Sequence, residues 1–429
     1  MNVCFSKVTK DMSRHFMLGT LFVVGLTGAP DAQVGGAAVG PPRLTLRGAI
    51  AEALAQHPEL QALRHEYEAA RAAPAQERYL SPPMLEAQVW GWPVTTLNPA
   101  RTDMYMLMAE QELPGRGKRA ARTRVAEREA EMSRQRIAVR AGQVLNDLKQ
   151  AYVDLAFTRE TFEVYARQES LIRDVTEAAT LRYAAGEGAQ HHTVVSLVEL
   201  TRLERERIAA DERAQAAEAR LNTLLGRLPS QPIEALDPIV TEVSPEDAEH
   251  LALARHPEVA MAAAVVAGEE AELERLRGER RPDYLVGGGY MLIPGEAGAW
   301  TARAGLTWPN APWSRGRLTA AIDMQTKRVE AAKARRDVVA SQLRQAVRHA
   351  AVRLNAAERQ VRLIESTSLP QIEHAFELTR LAYAAGEGAF TDVLDARRLL
   401  LSTEIEHTEA RASVARARVD LETAAGGGV

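Results

Sequence analysis

The 429-residue chain is poor in cysteine, in aromatic residues and in long apolar runs. Its single cysteine, Cys4, excludes a disulfide framework and a site built from several thiolates. Only 5% of the residues are aromatic, which favours long helices with thin interfaces over a large globular core. The formal net charge is -4. The sequence therefore lacks the concentrated basic character that binds nucleic acid, and no nucleic-acid partner is expected.

Motifs of the common enzyme classes are also missing. The sequence contains no P-loop, no dinucleotide-binding glycine motif, no GxSxG and no HExxH. The glycine-rich stretch LVGGGYML is part of a β-like segment, which suits a strand better than a phosphate-binding loop. We expect no enzyme activity and no cofactor, and we predict no catalytic residue and no metal-ligand set.

The N-terminus combines basic residues with a short apolar run. Three basic residues precede the eleven-residue run from Phe16 to Leu26, whereas a helix that spans a bilayer needs roughly 20 residues. This pattern predicts a signal peptide over residues 1–32, cleaved near Ala29 or Ala32. A retained hydrophobic anchor is the alternative. No later run reaches the roughly 18 apolar residues of a transmembrane helix.

The chain is a tandem duplication. Three motifs return in the same order at offsets of 199, 199 and 200 residues, and chance similarity would not preserve both order and spacing. The pairs are LAQHPEL (54–60) with LARHPEV (253–259), LPGRGKR (113–119) with PWSRGRL (312–318), and RYAAGEGA (182–189) with AYAAGEGA (382–389). We predict a first repeat at residues 43–228, a linker at 229–247 and a second repeat at 248–425.

Each repeat begins with a helical stretch that a His-Pro-Glu sequence interrupts and restarts. Because proline suits a first helical turn and glutamate complements the positive helix end, His57 and His256 are predicted to be capping or surface residues. Two β-like segments follow in each repeat. Their bounds are 84–92 and 102–113 in the first repeat, and 283–293 and 299–308 in the second.

The β-like segments have the length and alternation of tilted membrane strands, about nine to eleven residues. In the last one, Thr301, Arg303 and Gly305 alternate with apolar residues. Four strands cannot close a barrel, and open sheet edges are not tolerated in lipid, so membrane insertion would require oligomerisation. Three chains would give twelve strands. Two soluble hairpins packed on a helical body are the alternative.

A very long helix is predicted after each strand pair, at 116–185 and again at 315–385. About 70 residues would extend roughly 100 Å, which fits a coiled-coil tunnel or stalk better than a globular domain. Leu145, Leu148, Tyr152, Leu155 and Phe162 have the spacing of a coiled-coil seam. Each long helix ends at the repeated octapeptide, and a second helix returns from it, at 193–227 or 391–424.

The chain resembles the TolC family of outer-membrane efflux channels in its motifs and in the duplicated order of its elements. The motifs are HPEL, QELPGRGKR, LNTLLGR (221–227) and DVLDA (392–396). The resemblance covers residue 44 to about residue 426. SPPMLEAQV followed by QELPGRGKR is most similar to the heavy-metal branch of CzcC/CusC-like channels.

This resemblance implies a mainly α fold with a small β part, in which a homotrimer forms a helical tunnel and a shared 12-stranded transmembrane β-barrel. It implies outer-membrane lipid around the barrel, a Gram-negative outer membrane as location, and a helical extension into the periplasm. A periplasmic adaptor (membrane fusion protein) and an inner-membrane pump of the resistance–nodulation–division (RND) type would be the partners. The expected function is passive export of heavy-metal cations or other toxic compounds.

The resemblance also assigns roles to the helix reversals. The two helix tips would form the periplasmic mouth and contact the adaptor; their residues are Tyr183, Gly186, Gly188, Tyr383, Gly386 and Gly388. Asp392 and Asp395 match the aspartates at the mouth in this family, where three copies would form an acidic ring that favours cations. Simple capping of the returning helix is the alternative for both aspartates.

His192 occupies the position of Asp392 in the first repeat, next to His191. The two histidines would make the mouth sensitive to pH or offer a transient metal contact, because imidazole titrates near neutrality. Two solvated turn histidines are the alternative, since no third ligand is close in sequence.

Met104, Met106 and Met108 share one face of a strand. Their thioether sulfur atoms suggest a soft-metal role, and an apolar face toward lipid or packing is the simpler interpretation.

Two other functions remain open. One is a drug-efflux or type I secretion channel of the same family. The other is a periplasmic coiled-coil adaptor, which would be expected to have one helical hairpin rather than two full repeats.

Overall fold

The computed structural model describes residues 44–95, 98, 101–233, 236 and 248–427. The predicted signal peptide lies outside the described residues, as does most of the predicted linker. The first repeat contains α1 (Leu46–Gln56), α2 (Pro58–Gln76), β1 (Met84–Trp90), β2 (Met104–Leu113), α3 (Lys118–Ala184) and α4 (Gln190–Leu224). The second contains α5 (Ala248–Arg255), α6 (Pro257–Gly278), β3 (Tyr284–Leu292), β4 (Ala299–Leu306), α7 (Arg315–Leu363), α8 (Leu369–Ala384) and α9 (Phe390–Ala424).

The His-Pro-Glu sequences break and restart the helices as predicted. His57 and His256 have extended backbone at the N-caps of α2 and α6, and a proline follows in the first turn. The Nδ1 atom of His256 accepts a hydrogen bond from the backbone N–H of Glu258 at 3.2 Å. His57 makes no such side-chain cap. The same motif thus ends one helix and begins another in each repeat.

The helix α3 runs unbroken for 67 residues, or about 100 Å at 1.5 Å per residue. Its counterpart is interrupted: α7 and α8 are joined by a five-residue π-helical segment, Ile364–Ser368. Pro370 lies two residues after this segment, and a proline inside a helix lacks an N–H and clashes with the carbonyl four residues earlier. A wider π turn accommodates this defect without ending the helix. The unbroken helix that the sequence predicted over 315–385 was therefore wrong at this segment.

The core is a series of small clusters between helices, as expected for a chain with few aromatics. Leu145, Leu148, Tyr152 and Leu155 of the predicted seam are buried, whereas Phe162 is only partly buried. The clusters repeat with the duplication. Ala49, Ala53, Leu221 and Leu225 of one cluster correspond in position to Ala248, Ala252, Leu421 and Ala425 of another.

The four strands form one antiparallel sheet in the order β1-β2-β3-β4. The central pair, β2 and β3, joins the two repeats, with Tyr105 opposite Leu292 and Leu113 opposite Tyr284. Consequently β1 and β4 are the edge strands. Among the described helices, none combines the length and the apolar character needed to cross a membrane.

Candidate functional site: the helix tips and the sheet

The two helix reversals have the same backbone. Gly186 and Gly386 follow the last residues of α3 and α8 with φ of 77° and 85°, a left-handed conformation that favours glycine. The second glycines serve a different need. A Cβ on Gly188 or Gly388 would lie within 3.2 Å of the preceding helical turn. The octapeptide is therefore repeated because each half needs one positive φ and one close backbone approach.

The side chains at the tips are not equivalent. Tyr183 is 47% exposed, whereas Tyr383 is 5% exposed. The guanidinium of Arg182 covers Tyr383: it donates to the Tyr383 carbonyl at 2.5 Å, and its carbon lies 4.8 Å from the ring centroid. Arg182 is the residue at which the two octapeptides differ, since its counterpart is Ala382. This difference was visible in the sequence, but its role across the two repeats was not.

His192 faces inward at the same tip. Its ring stacks on Phe390, with centroids 4.7 Å apart and planes 18° apart, and it lies edge-on to His191 at 4.3 Å. Burial lowers the pKa of His192, and the charges of His191 and Arg182 lower it further. A neutral imidazole is thus favoured at this position, which is partly buried rather than a solvated turn.

Asp392 and Asp395 lie on the exposed side of α9. Asp395 is 72% exposed and accepts a hydrogen bond from Arg398 at 3.2 Å. The structure therefore places the two aspartates at the start of the returning helix and outside the aromatic cluster that holds His192. In the described part of the chain, no group of three or more His, Cys, Asp or Glu side chains is arranged to hold a metal ion.

A buried ion cluster one helical turn deeper was not anticipated. Arg397 of α9 is 1% exposed and donates to Glu199 of α4, itself 5% exposed, at 3.1 Å. Arg398 donates to the other oxygen of Glu199. Burial alone would raise the pKa of Glu199, but hydrogen bonding from Arg398 and the charges of both arginines outweigh it and lower the pKa. This cluster ties the first repeat to the second behind the tips.

The junction between sheet and helices holds a second buried cation. Lys118, at the start of α3, is 2% exposed and its Nζ lies 2.6 Å from Asp283 and 2.9 Å from Glu279. Asp283 also accepts a hydrogen bond from the backbone N–H of Gly115 at 2.8 Å. Since Lys118 belongs to the first repeat and both carboxylates to the second, this cluster fixes the root of β2 beside that of β3.

The sheet has two chemically different faces. One face is apolar and exposed; its large side chains include Leu85, Val89, Leu107, Leu113, Tyr284, Val286, Leu292, Trp300 and Leu306. The other face carries Glu110 and Arg303, which form a 2.7 Å ion pair across Gly287. The predicted alternation in β4 is confirmed, because Thr301 and Arg303 share this polar face.

Met104, Met106 and Met108 also lie on the polar face, opposite the exposed apolar one. Met106 is paired with Gln88 on one side and Met291 on the other. Of the two expectations for these methionines, packing is confirmed for Met108, which is only 6% exposed, and contact with lipid stays a prediction. The sequence showed that methionine alternates with other residues along β2. It did not show which face of the sheet the methionines occupy.

The chain forms two long helical hairpins, in which the unbroken helices α3, α4 and α9 have 67, 35 and 35 residues. An amphipathic antiparallel sheet lies between the bases of the two hairpins. This combination defines the class of outer-membrane channel protomers. The model of the family described as outer membrane efflux protein matches residues 49–227 and 249–427. The chain belongs to this family, as the motifs predicted. Its members are outer-membrane efflux channels, so the expected location and the expected class of function are confirmed at that level.

Known relatives agree with this assignment. The cobalt-zinc-cadmium resistance protein CzcC of Cupriavidus metallidurans is 27% identical over 375 residues, which are 86% of each chain. The structure of CusC has a TM-score of 0.74 at 16% identity and covers 89% of this chain and 92% of its own. The outer membrane protein VceC of Vibrio cholerae has a TM-score of 0.74 at 17% identity, covering 89% and 96%. At such identities the two structures support the fold alone.

Proposed function

We propose that three copies of the chain form a passive outer-membrane channel that exports heavy-metal cations from a tripartite efflux system. The observation that carries this proposal is the sheet. It has an exposed apolar face, a polar face and two unpaired edges, β1 and β4. Lipid does not tolerate open edges, and pairing β4 of one copy with β1 of the next would remove them. Three copies would then supply a barrel of twelve strands.

The metal cargo is proposed from the relative named for cobalt, zinc and cadmium resistance. The partners are proposed from the family resemblance: a periplasmic adaptor and an RND-type pump in the inner membrane. The helix tips, with Gly186 and Gly386 at the reversals, would form the surface for the adaptor. Tyr183 is exposed and could contact the adaptor directly. Tyr383 is buried and would instead contribute by supporting the shape of the tip.

The gate is proposed at the start of α9. Asp392 and Asp395 are exposed on one side of this helix, so threefold symmetry would place six carboxylates at the mouth, an arrangement that favours cations over anions. Arg398 offsets part of this charge through its contact with Asp395. His192 would affect the gate indirectly, because its ring stacks on Phe390 at the start of α9. It would not bind an ion in the pore.

A deletion strain tests the cargo. We expect it to become sensitive to zinc, cobalt or cadmium, and expression of the chain from a plasmid to restore resistance. An Asp392→Asn/Asp395→Asn double variant should restore resistance less well than wild type, whereas the exposed control Glu377→Gln on α8 should restore it fully. Sensitivity to drugs with unchanged metal resistance would refute the metal cargo and favour a drug-efflux role.

A further inference from the structure

The methionines of the sheet are all on one face. The strand register places five of them on the polar face: Met84 of β1, Met104, Met106 and Met108 of β2, and Met291 of β3. The apolar face is built instead from leucine, valine, tyrosine and tryptophan. If methionine served only as an apolar residue in lipid, it would be found on the other face. The segregation therefore calls for a second explanation.

Four of these side chains are within reach of one another. Met106 and Met291 are directly opposite on neighbouring strands, so their Cβ atoms are separated by about 4.5–5.5 Å. Met104 and Met108 flank Met106 on the same strand face, about 7 Å away along the strand, and both are diagonal neighbours of Met291. A methionine side chain has three rotatable bonds, which suffices to bring neighbouring sulfur atoms together.

Gly289 directs Met108 toward this group. It is the residue opposite Met108, and a Cβ on Gly289 would lie 2.8 Å from Cγ of Met108. The side chain of Met108 therefore extends over the glycine toward β3, where Met291 is two residues further on the same face. A larger residue at position 289 would clash with the carbonyl oxygen of Leu107, 2.4 Å from the added Cβ, as well as with Met108.

The thioether chemistry of the group favours a soft cation. The methionine group lies on the face that carries the Glu110–Arg303 ion pair, and Glu86 of β1 is paired with Met108. Thioether sulfur is a soft ligand that selects Cu(I) over hard or borderline divalent ions. Ag(I) is the stable soft analogue, and neither ion requires a change of charge to bind neutral sulfur.

We propose that Met104, Met106, Met108 and Met291 form a thioether site for a soft monovalent cation, Cu(I) or Ag(I), on the polar face of the sheet. The inference rests on the proposed function, because that function makes the polar face the wall of the channel. A channel site must bind well enough to admit an ion and weakly enough to release it, and neutral thioethers in a half-open cluster meet both conditions.

Silver binding to the purified full-length protein in detergent and chloride-free buffer tests the site. Bound Ag⁺ per protomer is measured by calorimetric titration and by elemental mass spectrometry after desalting. Replacing the four methionines by leucine (M104L/M106L/M108L/M291L) should weaken Ag⁺ binding by about tenfold or more, since even outer-shell changes at metal sites cost 10- to 100-fold. Leucine conserves the volume and is well tolerated in place of methionine.

The matched control is Met324→Leu, which alters a half-exposed methionine of helix α7, outside the sheet, and should leave Ag⁺ binding unchanged. The M106L/M291L double variant removes only the cross-strand pair. If the quadruple variant does not fold, the Ag⁺ affinity of this double variant is compared with that of wild type instead and should be weaker. Equal Ag⁺ affinity in wild type and in a folded variant would overturn the proposal, as would an equal loss in Met324→Leu. Weaker Zn²⁺ binding in parallel with Ag⁺ would also count against it.

The same preparation separates this inference from the proposed function. Wild-type conductance in a silver-free planar bilayer reports the channel and does not involve the thioether site. A conducting protein whose Ag⁺ affinity is indifferent to the four methionines would refute the site alone. A protein that binds Ag⁺ through them and yet forms no pore would refute the channel and place the site on another kind of surface.

Discussion

Glu199→Gln should loosen the packing between the two helix tips. Glu199 is 5% exposed and Arg397 1%, and their contact joins α4 of the first repeat to α9 of the second. The substitution preserves size and removes the charge, so a buried guanidinium loses its counter-ion. Breaking a buried pair by removing one partner costs about 3–5 kcal/mol. At about 1.4 kcal/mol per factor of ten, the open population of the tip should rise on the order of a hundredfold to several thousandfold.

Native-state hydrogen exchange measured by mass spectrometry is the direct assay, because local opening exposes the amides at the start of α4 and α9. Exchange in residues 193–203 and 393–403 should accelerate, while exchange in the middle of α3 should not. A Glu199→Leu/Arg397→Met double variant should recover most of the protection, since apolar replacement of a buried pair is often neutral or stabilising.

Glu377→Gln on the neighbouring helix α8 provides the control. Its pair with Arg380 is half exposed on both sides, and exposed pairs contribute little. If Glu199→Gln leaves tip exchange at the wild-type rate in a folded protein, the cluster does not hold the repeats together and the reasoning fails.

Three further predictions concern the tips and the sheet root. Gly386→Ala should destabilise the second hairpin by about 1–2 kcal/mol, because φ is 85° there; faster exchange of the tip amides would show it, and an unchanged rate would contradict it. Lys118→Met should leave the part-buried carboxylate of Asp283 without its cation and lower the thermal stability of the protein in detergent. This variant's melting temperature should fall well below that of wild type; an equal value would refute the role of the cluster. The third prediction concerns the protection of amides near His192 from hydrogen exchange in the wild-type protein. Protection should be full above the pKa of histidine in the unfolded chain, about 6.5. It should be lost as the pH falls through the lowered pKa of His192 in the folded protein. His192→Phe can retain the stack on Phe390 and should abolish this pH-dependent change. Hydrogen exchange would be measured between pH 5 and 7.5 and corrected for the intrinsic exchange rates. A change of the same size in the variant would show that another group titrates.

The sequence predicted the repeating parts of the fold well, because they follow local rules. The helix restarts after His57 and His256 follow from proline chemistry, and the helix reversals follow from the glycines of the octapeptide. The strand pairs were indicated by alternation and by turn residues. The π segment before Pro370 was not predicted, since a proline late in a long helix can end, kink or widen it, and packing decides which.

The contacts between repeats could not be predicted, because they depend on how distant elements pack. Arg182 covers Tyr383, and Glu199 meets Arg397, across about 200 residues of chain. Nothing in the periodicity of α4 or α9 marks Arg397 as a buried residue. The face that the methionines occupy was likewise settled only by the register of β2 against β3.

Single-channel recording in planar lipid bilayers tests the central claim most directly. The purified protein should insert and give discrete, long-lived conductance steps of uniform size, with a preference for cations that decreases in the Asp392→Asn/Asp395→Asn variant. A folded, pure preparation that binds to the bilayer without any conductance step would contradict the assignment of this chain as an efflux channel.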